Sequence, residues 1–140
     1  MNTILINRKV DYAIRCLVYL AKQKPAQIVT TAELSRRLRI SRPFIAKIFQ
    51  LLVRQGIVEG EKGKGGGFRL KNRQVSLAKI IRLLDPNLAL NKCLKKGFHC
   101  FMREECPVHY ILCSMQRELF QRLDKIQLSG LTNKIGRNKR

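Results

Sequence analysis

Apolar residues recur every three or four positions in much of this chain, which is the spacing of helices that bury one face. The first such stretch predicts a helix over residues 10–24, which Pro25 would end. Thr30 and Glu33 then have the spacing of a helix capping box, in which each side chain accepts from a backbone N–H group. A short second helix should therefore run to Leu38.

A third helix should follow after a tight turn, with Ser41 as its cap and Pro43 in its first turn. Its inner face is apolar, with Phe44, Ile45, Ile48, Phe49 and Leu52. Its outer face is polar and basic, with Arg42, Lys47, Gln50 and Arg54, and these four residues together with Ser41 and Pro43 are its candidate DNA contacts. Two short helices of this kind predict a helix-turn-helix whose second helix enters the DNA major groove. The alternative is an ordinary helical hairpin with solvated charges.

A β-hairpin is predicted after Gly56, which can end the third helix. One strand begins at residues 57–58, a loop of lysine and glycine covers 59–67, and a second strand covers 68–70. This loop could reach phosphates or the minor groove, and its candidate DNA contacts are Lys62, Lys64, Gly65, Gly66 and Arg69. A nucleotide-binding loop is excluded, because neither lysine is followed by Ser or Thr.

Two more helices complete the pattern. Ser76 can cap a fourth helix over residues 76–85, closed by Pro86, and Pro107 suits the start of a long helix that runs to about Ser129. The long helix carries an apolar seam of nearly heptad spacing, formed by Val108, Leu112, Met115, Leu119, Leu123 and Ile126. This seam favours pairing with a second copy of the chain. The alternative is that it packs against the chain's own head.

These elements predict a mostly α-helical fold with a small β-hairpin wing, in which a winged helix-turn-helix head carries a long C-terminal dimerisation helix. The head is assigned to residues 1–86, a cysteine segment to 87–106, and the dimerisation helix to 107–130. A polar, basic tail is assigned to residues 131–140, and its composition favours disorder.

Charge narrows the range of partners. Lys and Arg number 29 against 9 Asp and Glu, and the net charge of +20 favours a polyanionic partner such as double-stranded DNA. No apolar run has the length of a membrane span, and the start of the chain lacks the apolar core of a signal peptide, so we expect no membrane partner and a cytoplasmic location. With 2 histidines and no serine–histidine–acid spacing, the chain is not expected to be an enzyme.

The densest set of metal-ligand residues is the pattern C-x6-C-x5-C-x2-H, formed by Cys93, Cys100, Cys106 and His109. Thiolates and imidazole suit a tetrahedral zinc ion, although the paired C-x2-C knuckles are missing. Three thiolates and one non-cysteine position also suit an iron–sulfur cluster, and the surrounding lysines would favour thiolates. Metal-free thiols that respond to redox conditions are a third alternative. The residue chemistry alone leaves zinc and the cluster open.

Four segments of the chain resemble the Rrf2 family of bacterial winged-helix regulators. They are D-Y-A-I-R-C-L at residues 11–17, I-S-R-P-F-I-A-K-I-F at 40–49, G-I-V-E-G-E-K-G-K-G-G-G-F-R-L at 56–70, and the three-cysteine pattern. The glycine-rich wing together with the three-cysteine pattern is specific evidence for this family, whereas the first two segments alone would be weak evidence. The resemblance implies a homodimeric transcription regulator, expected to be a repressor, that binds a two-fold symmetric operator.

The same resemblance implies that Cys93, Cys100 and Cys106 hold a [2Fe-2S] or [4Fe-4S] cluster whose state tunes operator binding in response to redox conditions or nitric oxide. Two positions depart from the family pattern. The first cysteine gap is six residues, where IscR-like and NsrR-like members generally have five. Ala46 stands where IscR-like members have a glutamate on the recognition helix. The cluster type and the operator sequence are therefore not carried over.

The resemblance offers two residues for the remaining coordination position. His109 matches the C-x2-H of IscR-like members, and Asp11 matches the aspartate with which NsrR-like members reach the cluster of the partner subunit. Local spacing favours His109, whereas Asp11 would couple cluster loss to the partner's DNA-binding head. We expect one of them, and not both, to complete the site. Otherwise Asp11 is a helix-terminal charge near Arg15, and His109 is a surface residue.

The other soft ligands have simpler interpretations. Cys16 and Cys113 lie within apolar helical patterns and are expected to be buried thiols, and His99 is expected to be a solvated loop residue. A zinc- or thiol-based redox-sensing regulator is the alternative function. An iron–sulfur electron carrier is a third, and a gel shift with a palindromic promoter fragment would discriminate it from a regulator.

Overall fold

The computed structural model describes residues 6–132, and within them it contains five α-helices and one antiparallel hairpin. In chain order these are α1 (Arg8–Ala21), α2 (Thr31–Leu38), α3 (Arg42–Arg54), β1 (Val58–Glu61), β2 (Gly67–Leu70), α4 (Leu77–Leu84) and α5 (Pro107–Lys125). Two 3-10 turns cover Lys92–Leu94 and Leu128–Leu131. The expected fold class is confirmed. Most of the predicted tail lies outside the described residues.

The helix α1 is the centre of the head, because it contacts α2, α3, α4 and β2. Asn7 caps its start by accepting a hydrogen bond from the Val10 N–H group at 3.0 Å. The helix ends at Ala21 instead of residue 24. Arg73 binds this end, with Nη1 2.6 Å from the Ala21 oxygen and Nη2 3.1 Å from the oxygen of Gln23, just beyond the helix. A cation suits the negative end of a helix dipole.

The turn between α2 and α3 forms largely as the sequence predicts. The Thr30 hydroxyl accepts from the Glu33 N–H group at 3.0 Å, which is half of the expected capping box. The Glu33 carboxylate instead accepts from the Tyr19 hydroxyl at 2.6 Å, so it ties α2 to α1. Arg39 ends α2 in a left-handed conformation with φ of 57°. Ser41 occupies the cap position of α3, but its side chain makes no capping hydrogen bond.

The wing consists of β1, β2 and the loop at residues 62–66. Its strands are longer than predicted, because Glu61 pairs with Gly67 at the tip of the ladder. Val29 joins the other side of β2 by exchanging two 2.8 Å backbone hydrogen bonds with Phe68. Gly67 permits this pairing, since a Cβ atom there would lie 2.2 Å from the Val29 oxygen.

The chain returns to the head after α5. The helix ends at Lys125, so the prediction that it reaches Ser129 is wrong. Beyond it, the Ile126 carbonyl accepts from the Leu77 N–H group, and the Leu128 N–H group donates to the Val75 carbonyl, both at 2.9 Å. The Leu128 side chain is fully buried in the head core. Its burial and the backbone pairing stabilise this path of the chain more than a continued helix would.

The helix α5 has two different faces. One face packs on α4 and directs Phe120 and Leu123 toward the core. The predicted seam is therefore divided. Leu123 packs toward the head and Ile126 lies beyond the end of the helix, whereas Val108 is 57% exposed and Met115 is 53% exposed. Within residues 6–132, no helix is both long and apolar enough to cross a lipid bilayer.

Candidate functional site

The outer face of α3 is a continuous exposed surface. Burial of Ile45, Ile48 and Phe49 fixes the rotation of the helix. It leaves exposed the six residues that the sequence assigned to DNA, namely Ser41, Arg42, Pro43, Lys47, Gln50 and Arg54. In the part of the chain that the structure describes, no ion pair engages the three cations of this face. They can therefore meet phosphates or base edges without losing an internal partner.

Two aromatic contacts hold α3 in place. Tyr12 of α1 meets Phe44 edge-on, with ring centroids 5.5 Å apart, at the first turn of α3. Phe49 meets Phe68 of the wing at 4.4 Å. Aromatic pairs of this geometry add to the energy of area burial. The helix that presents the basic face is thus fixed at one end by α1 and near its middle by the wing.

The wing tip is exposed at Lys62, Lys64 and Gly65. The glycines there shape the turn itself. Gly65 has a φ of 79°, and a Cβ atom on the half-buried Gly66 would lie 2.2 Å from the Glu61 oxygen. The tip therefore has one defined path, with its two lysines on the outside. Their contact with DNA stays a prediction.

Arg69 was assigned to DNA as well, and the structure places it within an ion-pair network of the wing. Its Nε atom donates to Glu59 at 2.8 Å, and Nη1 lies 3.5 Å from Glu61. The hydrogen bond from Arg69 lowers the pKa of Glu59 below its ordinary value. Arg69 stiffens the hairpin in this arrangement, and its assignment to DNA remains untested.

A groove of about 540 Å³ runs between α3 and the wing, a feature that the sequence did not predict. It brings Gln50 and Arg54 of α3 next to Lys62 of the wing. Its other lining residues are Ala46, Val53, Gly60, Glu61 and Phe68. Three side chains that the sequence assigned separately therefore line one concave surface. The small side chain at Ala46 leaves the groove open on the recognition side.

Sequence reasoning also overlooked the cations at the end of α2. Arg36, Arg37 and Arg39 are exposed beside the turn that leads into α3. The signal was present as three arginines within four positions at the end of a predicted helix. Their position extends the basic surface beyond α3.

The cysteine segment contains Cys93, Cys100 and Cys106, and all three are free, half-buried thiols. Every hydrogen bond described for residues 93–106 joins groups at most six residues apart, such as the Asn91 amide that donates to the Cys93 sulfur at 3.6 Å. Phe101 is 98% exposed. A segment whose hydrogen bonds are all local can change conformation at low cost.

The donor types of this segment suit an iron–sulfur cluster, because three thiols are free and accessible. Their arrangement in a single chain does not yet form a site. Among the described residues, no three side chains of Cys, His, Asp or Glu converge on one metal position. Binding would therefore require the segment to close around the metal.

The two candidates for the fourth position differ in their surroundings. The Nδ1 atom of His109 is buried and has no hydrogen-bond partner among residues 6–132. The Asp11 carboxylate is partly exposed and accepts from the Arg15 Nε atom at 2.9 Å. An unpartnered buried nitrogen is costly, so it calls for a ligand more strongly than a solvated ion pair does.

The remaining soft ligands fall into three environments. Cys16 is fully buried, as expected, and burial raises the pKa of its thiol to about 12. Cys113 is half-buried and lines a cavity, so the expectation that it is a buried core thiol is wrong. His99 is exposed, as expected.

A helix-turn-helix, a glycine-rich wing and an exposed basic face on the second helix define the class of this protein as a winged-helix transcription regulator. The chain belongs to the Rrf2 family, whose model is described as "Iron-dependent Transcriptional regulator" and matches residues 6–134. The resemblance read from the sequence is thereby confirmed, and the chain is a regulator rather than an enzyme.

Similar proteins agree with this assignment. An HTH-type transcriptional regulator of Haemophilus influenzae is 28% identical over 131 residues, which cover 92% of this chain and 87% of that protein. The oxidized form of Staphylococcus aureus CymR is 21% identical, with a TM-score of 0.73 and coverage of 93% of this chain and 97% of that one. IscR of T. potens is 21% identical, with a TM-score of 0.70 and coverage of 92% and 86%. These two structures show the shared fold.

Proposed function

We propose that this chain is a homodimeric, cytoplasmic transcription repressor whose operator binding is controlled by an iron–sulfur cluster. The observation that carries the proposal is the position of three free, accessible thiols between the winged-helix head and α5. A change in that segment can reach both the DNA-binding element and the pairing element. The family description, which names iron, supports the same proposal.

The DNA-binding part of the proposal rests on charge and shape. The helix α3 enters the major groove, where Arg42, Lys47 and Gln50 meet base edges and phosphates. Lys62 and Lys64 of the wing meet the backbone or the minor groove. The net charge of +20 brings the chain to DNA from a distance.

The cluster part rests on the thiols. Cys93, Cys100 and Cys106 bind the cluster as thiolates, and when bound it supplies a redox-active centre that reacts with oxidants or nitric oxide. Neighbouring cations, which include Lys92 and Arg103, offset its negative charge. The unpartnered Nδ1 atom of His109 supports that residue as the fourth ligand from the same chain. Asp11 remains the competing ligand from the partner chain.

If Asp11 binds the cluster, a contact path would connect the cluster to the recognition helix. Asp11 is followed by Tyr12, whose ring meets Phe44 at the first turn of α3. A force on the start of α1 would therefore reach the recognition helix through one aromatic contact. This path supports the coupling that Asp11 ligation would provide, and it exists whichever residue binds the cluster.

The dimer part rests on the exposed seam of α5. Val108 and Met115 are more than half exposed, and no residue of α5 is fully buried in the single chain. An exposed apolar stripe at nearly heptad spacing is typical of helices that pair. Two heads joined in this way would read two half-sites about one or more helical turns apart.

The central test is anaerobic reconstitution of the full chain with iron and sulfide, followed by metal analysis, an absorption spectrum and gel shifts with a palindromic promoter fragment. We expect iron and sulfide to bind together, and operator affinity to differ between loaded and metal-free protein. The triple variant Cys93→Ser, Cys100→Ser and Cys106→Ser should bind no cluster, whereas Cys16→Ser should bind it normally. Equal loading of the triple variant would contradict the proposal.

A zinc- or thiol-based redox-sensing regulator is the second candidate, and one observation favours its metal-free thiol form. The three thiols are free but do not converge in the single chain. Pairwise oxidation would need only two of them to meet. Purified protein that holds zinc, or that changes operator affinity after oxidation without iron, would support this alternative over the cluster.

A further inference from the structure

A cavity of about 470 Å³ lies where α4, the cysteine segment and α5 meet. Its volume is within the range of small-molecule sites. Arg82 stands on the α4 side, Leu94 and Lys96 come from the cysteine segment, and Gln116 and Phe120 come from α5. The cavity is distinct from the DNA-binding face and from the three thiols of the proposed cluster site.

The cavity carries an excess of positive charge. Its cations are Arg82, Lys95, Lys96 and Arg117, and its acids are Asp85 and Asp124. Asp124 lies 3.5 Å from Arg82, whereas Asp85 accepts from the neutral Asn7 amide at 3.0 Å and keeps its negative charge. Within residues 6–132, no ion pair engages the other three cations. The four cations and two acids leave the cavity with a net charge of +2 toward an incoming anion.

The cavity also has an apolar wall. Leu88, Leu94 and Phe120 line it, and the guanidinium of Arg82 stacks 4.6 Å from the centre of the Phe120 ring. The Gln116 side chain accepts from the Leu90 N–H group at 2.9 Å, which holds the start of the cysteine segment against α5. A ligand with a short carbon skeleton would find an apolar surface here, whereas a bare inorganic ion would leave that surface unused.

We propose that this cavity binds a small organic anion that carries two or more carboxylate or phosphate groups on a short carbon skeleton. Its acidic groups meet Lys95, Lys96 and Arg117, and its skeleton packs against Phe120. Such a ligand joins the cysteine segment to α4 of the head, so it restrains a segment whose residues 93–106 otherwise make only local hydrogen bonds. Ligand binding at this site regulates the protein independently of any metal.

The cavity and the exposed residues of the seam use different parts of α5. Cys113, Gln116 and Phe120 line the cavity, whereas Val108 and Met115 lie roughly 80° to 160° away around the helix, at ~100° per residue. The inference does not depend on a bound cluster.

The test is a titration of the full-length, metal-free chain with citrate and, separately, with inorganic phosphate, at constant ionic strength set with sodium chloride. Binding is measured by calorimetry and by amide NMR shifts. We expect saturable citrate binding with shifts concentrated in residues 82–96 and 113–124, and weaker binding of phosphate. The variant Lys96→Gln with Arg117→Gln should lower citrate affinity by about tenfold.

The matched control is Lys79→Gln with Lys125→Gln, which removes the same charge from α4 and α5 outside the cavity. We expect its citrate affinity to stay within about twofold of the parent. An equal loss in the control would mean non-specific attraction to a basic protein, and phosphate binding as tight as citrate would remove the role of the apolar wall. Either result, or NMR shifts spread over the DNA-binding face, would overturn the proposal.

Discussion

At the scale of single residues, two side chains compete to complete the proposed cluster site. His109 has a buried nitrogen without a partner, and Asp11 has a solvated ion pair with Arg15. The first arrangement suits a ligand from the same chain. The second suits a carboxylate that exchanges one charged partner for another in a neighbouring subunit, because the exposed ion pair costs little to break.

The first prediction separates these roles with His109→Ala and Asp11→Ala, each reconstituted anaerobically. We expect one variant, and not both, to change the visible spectrum and to lose the cluster-dependent change in operator affinity. Arg15→Ala is the control, since it removes the ion-pair partner of Asp11 but no ligand. If both alanine variants keep the parent spectrum and affinity, the fourth position belongs to another residue or to solvent.

The second prediction concerns thiol reactivity. Burial raises the pKa of Cys16 to about 12, from 9.0 for an ordinary thiol, so its thiolate is roughly a thousandfold scarcer at neutral pH. With iodoacetamide, native metal-free protein should be alkylated at Cys93, Cys100, Cys106 and Cys113 but not at Cys16. Mass spectrometry of digested protein measures this pattern.

Unfolding provides the control for that experiment. In guanidinium chloride, all five thiols should react at similar rates, because burial no longer protects Cys16. Modification of Cys16 in the native state as fast as Cys113 would mean that α1 opens readily, contrary to its central place in the core.

At the scale of elements, α3 and the wing carry different kinds of DNA contact, and the third prediction distinguishes them. Lys64→Ala should weaken binding to every DNA sequence alike and lower the salt dependence by about one unit of slope. Gln50→Ala should relax specificity at one base-pair position by ~1 to 3 kcal/mol. Fluorescence anisotropy over a range of salt concentrations, with a panel of operator variants, measures both.

Lys125→Ala serves as the charge control for Lys64, because it lies on α5 away from the wing. Its effect on the salt slope should be smaller than that of the wing variant. If Gln50→Ala and Lys64→Ala act equally on every sequence, then the assignment of base reading to α3 is incorrect.

Element by element, the sequence was informative wherever a local pattern carried the structure. The cap at Thr30 was sufficient to place α2, and apolar spacing was sufficient to place α3. Apolar spacing and the cap at Ser76 together placed α4. Long-range pairings were not predictable in this way. Nothing local indicates that Arg73 would cap α1 or that Val29 would pair with β2.

The same limit applies to the candidate sites. The basic face of α3 follows from helix periodicity, so its exposed residues were found from sequence. The groove beside the wing and the cavity beside α5 could not be found from the sequence, because each combines residues from segments far apart in the chain. Cys113 shows the difference, since its apolar neighbours suggested burial while the packing of α4 leaves it beside a cavity.

At the scale of the whole molecule, the seam on α5 is the basis of the fourth prediction. Leu119→Glu places a charge in the middle of the seam, and a desolvated charge between paired helices is strongly unfavourable. We expect the variant to sediment as a monomer and to lose most of its operator affinity. The matched control is Gln121→Glu, which adds the same charge on another face and should remain a dimer.

A seam that packs inward would give the opposite result. In that case Leu119→Glu would lower the melting temperature without changing the oligomeric state. Circular dichroism and sedimentation velocity on the same samples separate the two outcomes.

The return of Leu128 to the head core gives α5 the mechanics of a lever. The helix is anchored at its C-terminal end by Leu128 and by backbone pairing with α4, while its N-terminal end adjoins the loosely held cysteines. Its 19 residues span about 28 Å at ~1.5 Å per residue. A tilt of about 10° about the anchored end would therefore move the N-terminal end of α5 by about 5 Å. Conversely, a movement of about 5 Å at Cys106 would require only a small rotation of the helix where it meets the core.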